Sequence, residues 1–325
     1  MTISQRIRDR LSVPVFCSPM FLVTGPDLVR EACLSGVVGG LPRHNARSLD
    51  EFESWLRDIR EAIDNRLAED PTARIGPIAV NLATRMDDDE LKLNLDVCRR
   101  YGVDIIVSAA GNPSRLIERV HDWGGVVFHD VTSFHFAEKA IAAGADGLIA
   151  IGAGGGGHSG TISHLVLIPR LRQMFDGVIV MAGAVGHGAA VRAAEVLGAD
   201  LAYVGTRFIG SRESLAPDRY KQLLVSESSS GLRYTGGVSG VPANWIEASL
   251  LSAGIDPDSL PQASGKLGSD HLPAGVTPWR NIWSAGQSID FIDEIPMVAE
   301  IVAQLQNEYA AACRVPAIAP LVSEV

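Results

Sequence analysis

Only four of 325 residues are cysteine, and Cys17, Cys33, Cys98 and Cys313 stand far apart with no CxxC pair among them. That spacing argues against a zinc site and a disulfide framework, so the thiols read as reduced and mostly buried. Basic residues are also in deficit, with 28 Lys and Arg against 38 Asp and Glu and a formal net charge of -10. No basic run offsets it, which argues against nucleic acid or an anionic membrane surface as partner. Long apolar runs are missing too, none approaching the roughly 18 residues of a membrane span. The stretch MTISQRIRDRLSVPVF spreads its charges and holds no apolar core of signal-peptide length, so a cytoplasmic location is expected. What the chain has in quantity is apolar residues, 46%, and glycine, 33 in all. That is ample material for a large core.

Eight short runs rich in Val and Ile recur: VPVFCSP near 13–19, VVGGLP near 37–42, IAVNLA near 78–83, DIIVSAA near 104–110, GVVFHDV near 125–131, GLIAIGA near 147–153, GVIVMAG near 177–183 and LAYVGTRF near 201–208. Near-continuous apolar runs suit strands buried on both faces of a parallel sheet. Segments of helical period lie between them, and two junctions nearly repeat, EKAIAAGADGLIAI at 138–151 and RAAEVLGADLAYVG at 192–205, each with glycine where a helix ends. The pattern predicts an α/β chain folded as a (β/α)8 TIM barrel. A doubly wound open sheet is the alternative, but its glycine fingerprint belongs in the first βα turn, which here reads SPMFLVTGPD. Residues 212–275, rich in Gly, Ser and Pro, are expected to form a smaller cap or substrate-binding segment inserted after strand eight. The barrel would then comprise 1–211 and 276–325, closed by a C-terminal helix within DFIDEIPMVAEIVAQLQNEYAAACR.

In such a barrel the site lies at the C-terminal strand ends. Those ends bring forward Ser18, Pro19 and Met20, Arg43 and His44, Asn81, Ser108, His129 and Asp130, then the loop GAGGGGHSG with His158, Gly183, and finally Gly205 and Thr206. Small and polar residues at a barrel mouth suit a broad, flat ligand. The loops after strands seven and eight are the usual phosphate positions. There Gly183, Ala184 and Gly186 precede a helix beginning near Gly188, whose N-terminus favours an anion, while Gly205 and Thr206 add an amide and a hydroxyl. Gly155, Gly156 and Gly157 would let the same ligand lie against the main chain. A phosphate joined to a planar ring describes flavin mononucleotide, with a sugar phosphate or a nucleotide as alternatives.

With these residues assembled, the chain resembles the nitronate monooxygenase family, formerly 2-nitropropane dioxygenases, whose fold and FMN site are shared with FMN-dependent enoyl-acyl-carrier-protein reductases. The resemblance runs from about Val13 to Arg314 and is carried by SPMFLVTGPDLVREACLSGVVGGLP, VNLA, GGGGHSG, AGAVGHGAAVRAAEVLGADLAYVGTRF and WRNIWSAGQSID. It implies FMN contacts at Met20, Asn81, Gly183 and the following amides, Gly205, Thr206 and Gln287. It also implies a catalytic base or hydrogen-bond donor at His158, for which a histidine's near-neutral pKa is suited. The chain departs from the family at FHDV, where relatives often carry lysine. There His129 and Asp130 either bind substrate or, for Asp130, cap the helix starting near Thr132 and Ser133. His44, Tyr234, Asn244 and Trp245 are candidate substrate-lining residues, His187 is placed near the phosphate, and Trp279 and Trp283 are read as packing.

The resemblance implies an FMN-dependent oxidoreductase that oxidises alkyl nitronates with O2. The alternative is an enone or enoyl-thioester (acyl-CoA or acyl-carrier-protein) reductase or dehydrogenase using NAD(P)H. A barrel that binds a sugar phosphate without flavin is the non-redox competitor. The expected partner is a small-molecule substrate, with no nucleic acid, membrane or metal, and a homodimer is compatible with the reading.

Overall fold

The computed structural model describes residues 3–315; residues 1–2 and 316–325, the outer ends of the two predicted barrel segments, lie outside the described residues. Its strands are β1 (Val15–Cys17), β2 (Val38–Pro42), β3 (Ile78–Ala83), β4 (Ile105–Ala109), β5 (Val126–Val131), β6 (Gly147–Ile151), β7 (Gly157–His158), β8 (Val178–Ala182), β9 (Leu201–Val204), β10 (Leu232–Thr235) and β11 (Ala243–Ile246). Eight of them close a parallel barrel in the order β1-β2-β3-β4-β5-β6-β8-β9, with β9 pairing β1. The remaining three form a small antiparallel sheet in the order β10-β11-β7. The helices are α1 (Ile3–Arg8), α2 (Pro26–Leu34), α3 (Leu49–Glu69), α4 (Asp88–Arg100), α5 (Ser114–His121), α6 (Phe134–Ala142), α7 (His164–Met174), α8 (Gly188–Leu197), α9 (Thr206–Ile209), α10 (Asp218–Ser226), α11 (Glu247–Ser252) and α12 (Val298–Ala312). Among the described residues no helix is long and apolar enough to cross a membrane.

The eight predicted runs are the eight barrel strands, and the closed sheet replaces the open alternative. Strand alternation then divides the apolar residues into two cores. Phe16, Val38, Val107, Phe128, Ile149, Val180 and Leu201 fill the barrel interior. Their neighbours, among them Cys17, Val80, Ile106, Val127, Leu148 and Ile179, face the surrounding helices, packing against Leu56, Ile117 and Leu171. The repeated Gly-Ala-Asp junctions also gain a cause. Gly198 ends α8 at φ 106° and Gly144 follows α6 at φ 88°, a left-handed turn that glycine adopts without penalty. The aspartates that follow tie neighbouring strands together: Asp146 accepts from Val127 N at 2.8 Å and Asp200 from Ile179 N at 2.9 Å. Asp104 does the same for Ile78 N at 3.1 Å.

One predicted boundary moves. The run read as a strand to 208 ends at Val204, because Gly205 turns the chain into α9, with Phe208 N donating to Gly205 O at 2.8 Å. Residues 212–275 carry α10, β10, β11 and α11, and share two apolar clusters with residues outside the segment: Tyr220 and Ile246 pack with Ile209, Trp283 and Ile289, and Val238 and Trp245 with Ile282. The C-terminal helix is α12, which packs on α8 and α2.

Candidate active site

The interior of each barrel strand steps upward by two residues, and the last step forms the floor of a cavity of about 380 Å3. From Phe16 the step reaches Ser18, from Val107 Ala109, from Phe128 Asp130, from Ile149 Ile151 and from Leu201 Tyr203, and all five line the cavity. Asn81 joins them from β3, its Nδ2 donating to Val107 O at 3.3 Å. Met20, Phe21 and His44 form one side. Asn45 fixes that side by accepting from Leu22 N at 2.9 Å and donating to Met20 O at 3.0 Å and Thr24 O at 2.8 Å. Leu22, Ala110, Ala184 and Trp279 are the non-glycine residues of positive φ among those described, and Ala184 and Trp279 line the cavity itself. Such strain persists where surrounding contacts enforce it, and it gathers at functional sites.

The glycine-rich loop after β6 is built into the wall. A Cβ on Gly156 would meet Gly286 N at 2.9 Å, and Gly155 lies over Gly183, so these positions are bare because three backbone segments meet there. Gly157, at φ 68°, has open space where a side chain would project. Its neighbour completes β7, which pairs with β11 so that Ala243 faces His158 and Asn244 faces Gly157. Asn244 Nδ2 donates to Gly155 O at 2.7 Å, Tyr234 Oη to Ser159 O at 2.8 Å and Gln287 N to Gly154 O at 2.9 Å. His158 is thus held on a strand borrowed by the β10–β11 hairpin. Its Nε2 lies 3.2 Å from Ser239 Oγ, and its ring meets the Trp279 ring edge-on at 5.2 Å.

The cavity wall brings together Met20, His44, Asn81, Asp130, Gly155, Gly156, Gly157, His158, Gly183, Ala184, Gly205 and Thr206. Ser108, His129, Tyr234, Asn244, Trp245 and Gln287 stand outside it. His129 alternates with Asp130 on β5 and turns away, buried, with its Nδ1 2.8 Å from Ser108 Oγ. Ser108 therefore serves that pair behind the barrel wall. Trp245 is fully buried behind Trp279 at 5.0 Å between ring centroids, Tyr234 clamps the loop from outside, and Gln287 contributes its backbone. Trp283 packs as expected, stacked on Tyr220 at 5.3 Å, whereas Trp279 both packs and lines the cavity.

Two local expectations are corrected. The N-terminus of α8 is closed: Gly188 N donates to Glu308 Oε2 at 2.7 Å, and a Cβ on Gly188 would strike Leu305 O at 2.3 Å. His187 caps that helix through Nδ1, accepting from Ala189 N at 3.0 Å. From the loops after β8 and β9, the residues that reach the cavity are Gly183, Ala184 and Val185 and, beside them, Gly205, Thr206 and Ile209. Asp130 is no helix cap either, since Ser133 Oγ takes that place for α6, accepting from Phe136 N at 3.3 Å.

Electrostatically, no lysine or arginine among the described residues lines the cavity. Burial lowers the pKa of His158 below the usual histidine range, and burial together with Arg43 does the same for His44. Burial pushes the Asp130 carboxyl up to about 7, and its Oδ1 is sealed from solvent without a hydrogen-bond partner. Tyr203 is raised by burial and then by the nearby Asp130 charge, so its phenol keeps its proton. Sequence reasoning missed Tyr203 and Ser239 and read Trp279 only as packing. Interior parity from Leu201 would have found Tyr203, whereas nothing in the sequence pairs Ser239 with a histidine 81 positions away.

A closed barrel with glycine-bearing strand ends and a histidine at the rim is a scaffold for chemistry on a bound small molecule. The nitronate monooxygenase family model matches residues 7–308, and the chain belongs to that family, a family of oxidoreductases. A nitronate monooxygenase of Paraburkholderia phytofirmans is 29% identical over 91% of this chain and 92% of its own length. A "(3aS,4S,5R,7aS)-5-hydroxy-7a-methyl-1-oxo-octahydro-1H-indene-4-carboxyl-CoA dehydrogenase" of Mycobacterium tuberculosis is 27% identical over 73% of this chain; the match spans 64% of that relative's length. The solved nitroalkane oxidase of Streptomyces ansochromogenes superposes with a TM-score of 0.75 over 94% of this chain and 98% of its own, at 22% identity, a likeness of fold.

Proposed function

We propose that this protein is an FMN-dependent oxidoreductase of nitronate monooxygenase type that oxidises an alkyl nitronate with O2. The observation that carries the reading is His158, held at the rim of a cavity whose wall is bare backbone at Gly155, Gly156, Gly157, Gly183 and Gly205. The residues present fit the cofactor. Gly183 and Ala184, both of positive φ, stand beside Gly205 and Thr206, so two loops offer peptide groups and a hydroxyl to a phosphate. Met20 and Asn81 would meet the ring from the opposite strands, with Ile151 and Ala109 as an apolar floor. Bound FMN supplies a ring that accepts electrons from the substrate.

The chain's own groups set up the substrate. His158, neutral at pH 7 because of its burial, takes a proton from a neutral nitroalkane and, in the cationic form this produces, donates to the oxygen of the nitronate formed. Trp279 and the β10–β11 hairpin limit water at that rim, and residues 212–275 act as the cap that shapes it. The second reading, an enoyl- or acyl-thioester reductase or dehydrogenase, is favoured by the CoA-thioester relative and by a lining without fixed cations.

The purified protein is expected to be yellow and to bleach when a nitronate is added anaerobically. Bleaching only by NAD(P)H, with reoxidation by an enoyl thioester, would establish the second reading. Colourless protein that takes up no FMN would remove both and leave a phosphate-ligand barrel.

A further inference from the structure

One carboxyl lines the cavity among the described residues, and no lysine or arginine of the lining pairs with it. β5 runs between β4 and β6, so Asp130 stands in the floor between Ala109 and Ile151, one step above Phe128 in the barrel interior. No helix cap uses it, and its Oδ1 is buried without a partner. The residue as a whole is half-buried and opens toward the cavity. This is the floor on which the proposed flavin ring lies. A ring seated there covers what is still open, and an ionised Asp130 would become an unpaired charge beneath it. A protonated carboxyl is instead a hydrogen-bond donor. The polar rim of a flavin ring carries carbonyl oxygens and bare nitrogens against a lone N–H, so it offers a donor more partners than an acceptor.

We propose that Asp130 meets the flavin as a carboxylic acid, donating to an acceptor of the ring, so that FMN binding takes up one proton from solvent. The inference rests on FMN being the cofactor and holds whichever substrate follows. No electron moves, and the bond made is the carboxyl O–H, its proton coming from solvent. Burial pushes the carboxyl up to about 7 before any ligand arrives, and a covering ring pushes it further the same way. The flanking strands β4 and β6 line the cavity with Ala109 and Ile151, which do not titrate. Tyr203 on β9 and Cys17 on β1 are both displaced upward by burial and keep their protons. His44 and His158 at the rim, and His129 beside Asp130 on the opposite strand face, are displaced downward and are neutral above pH 7. Asp130 is therefore the group of this surrounding that changes charge between pH 7 and pH 9.

The test is the release of FMN from the holoprotein on dilution, read by the fluorescence of free flavin, between pH 7 and pH 9, where the FMN phosphate is already ionised. The dissociation constant is expected to rise roughly tenfold per pH unit, because the free chain gives up a proton that the complex retains. Asp130→Asn keeps an amide donor and removes the titration, so its dissociation constant should be flat over the same range. A flat wild-type profile, as an ionised carboxylate accepting from the ring N–H would give, or equal slopes in the two proteins would overturn the proposal. Should Asp130→Asn fail to fold, wild type decides alone through the infrared difference between flavin-loaded and flavin-free protein at pH 8.5, with its aspartates labelled with 13C. A label-sensitive carboxylic-acid band gained on loading supports the proposal, and its absence overturns it. Protein that binds no FMN at any pH would overturn the proposed function and this inference together, whereas a flat profile strikes the inference alone.

Discussion

The floor of the cavity and its upper wall are made in different ways. The floor is the last interior layer of β1, β3, β4, β5, β6 and β9, its residues at or one step beyond the ends of the parallel ladders. The upper wall is assembled from pieces distant in sequence: β7, the β10–β11 hairpin, Trp279 and the segment around Gly286. A ladder of strands positions a side chain through repetition, so no single contact matters much. The wall depends on a few individual hydrogen bonds, and His158 sits in the wall. Chemistry and rigidity are therefore separable here, and substitutions in the wall should alter turnover while the barrel stays folded.

The sharpest form of that separation is His158→Ala. His158 belongs to a two-residue strand with no apolar core of its own, so the variant should fold and retain bound flavin. Turnover should fall by about 10²- to 10⁴-fold, the usual contribution of a positioned acid or base. Steady-state rates alongside the flavin absorbance check this. Loss of flavin together with activity would mean that the wall is part of the binding frame, and the division would collapse.

The same division governs what could be read from the sequence. The floor was legible because parallel strands carry their own period, and Met20, Asn81 and Asp130 fall at strand ends that any barrel would place together. Where both strand faces are apolar, however, composition hides which face is inward. His129 and Asp130 look alike in FHDV, and only the register on Phe128 separates the one facing Ser108 from the one facing the cavity. The wall was legible in one respect, that a glycine-rich loop ends in histidine. Its glycines proved to be contact points between backbones at Gly155, Gly156, Gly183 and Gly286, because long-range packing leaves no local trace. Likewise Gly188 looked like an open helix end, yet α12 arrives from more than 100 residues away to cover it with Glu308.

A smaller effect is expected from Asn244→Ala. Asn244 is buried and gives its amide to Gly155 O, tying the hairpin to the loop that carries His158. Truncation leaves that carbonyl without its partner and loosens the loop, at a cost of about 1–3 kcal/mol if nothing replaces the bond. Turnover should drop on the order of tenfold, with the melting temperature lowered slightly and the barrel's far-ultraviolet circular dichroism unchanged. An equal loss of activity and of global stability would show that wall and floor unfold as one unit.

The smallest predicted change, Ser239→Ala, tests how the wall tunes the histidine. Ser239 Oγ donates to Val241 O at 3.2 Å, which spends its single proton, and so accepts from His158 Nε2–H at 3.2 Å. In the neutral ring this fixes the proton on Nε2 and leaves Nδ1 as the free base. The same bond is stronger when the ring is cationic, because charge-assisted bonds exceed neutral ones. Removing the acceptor therefore lowers the histidine pKa further than burial already does, and the acid limb of kcat/KM against pH should move down by roughly 0.5 unit. Above that limb the rate should change less than tenfold, since His158 itself remains. An unmoved limb in a folded Ser239→Ala protein would mean that the imidazole is set by Trp279 and burial alone, and that the hairpin holds the strand without touching its chemistry.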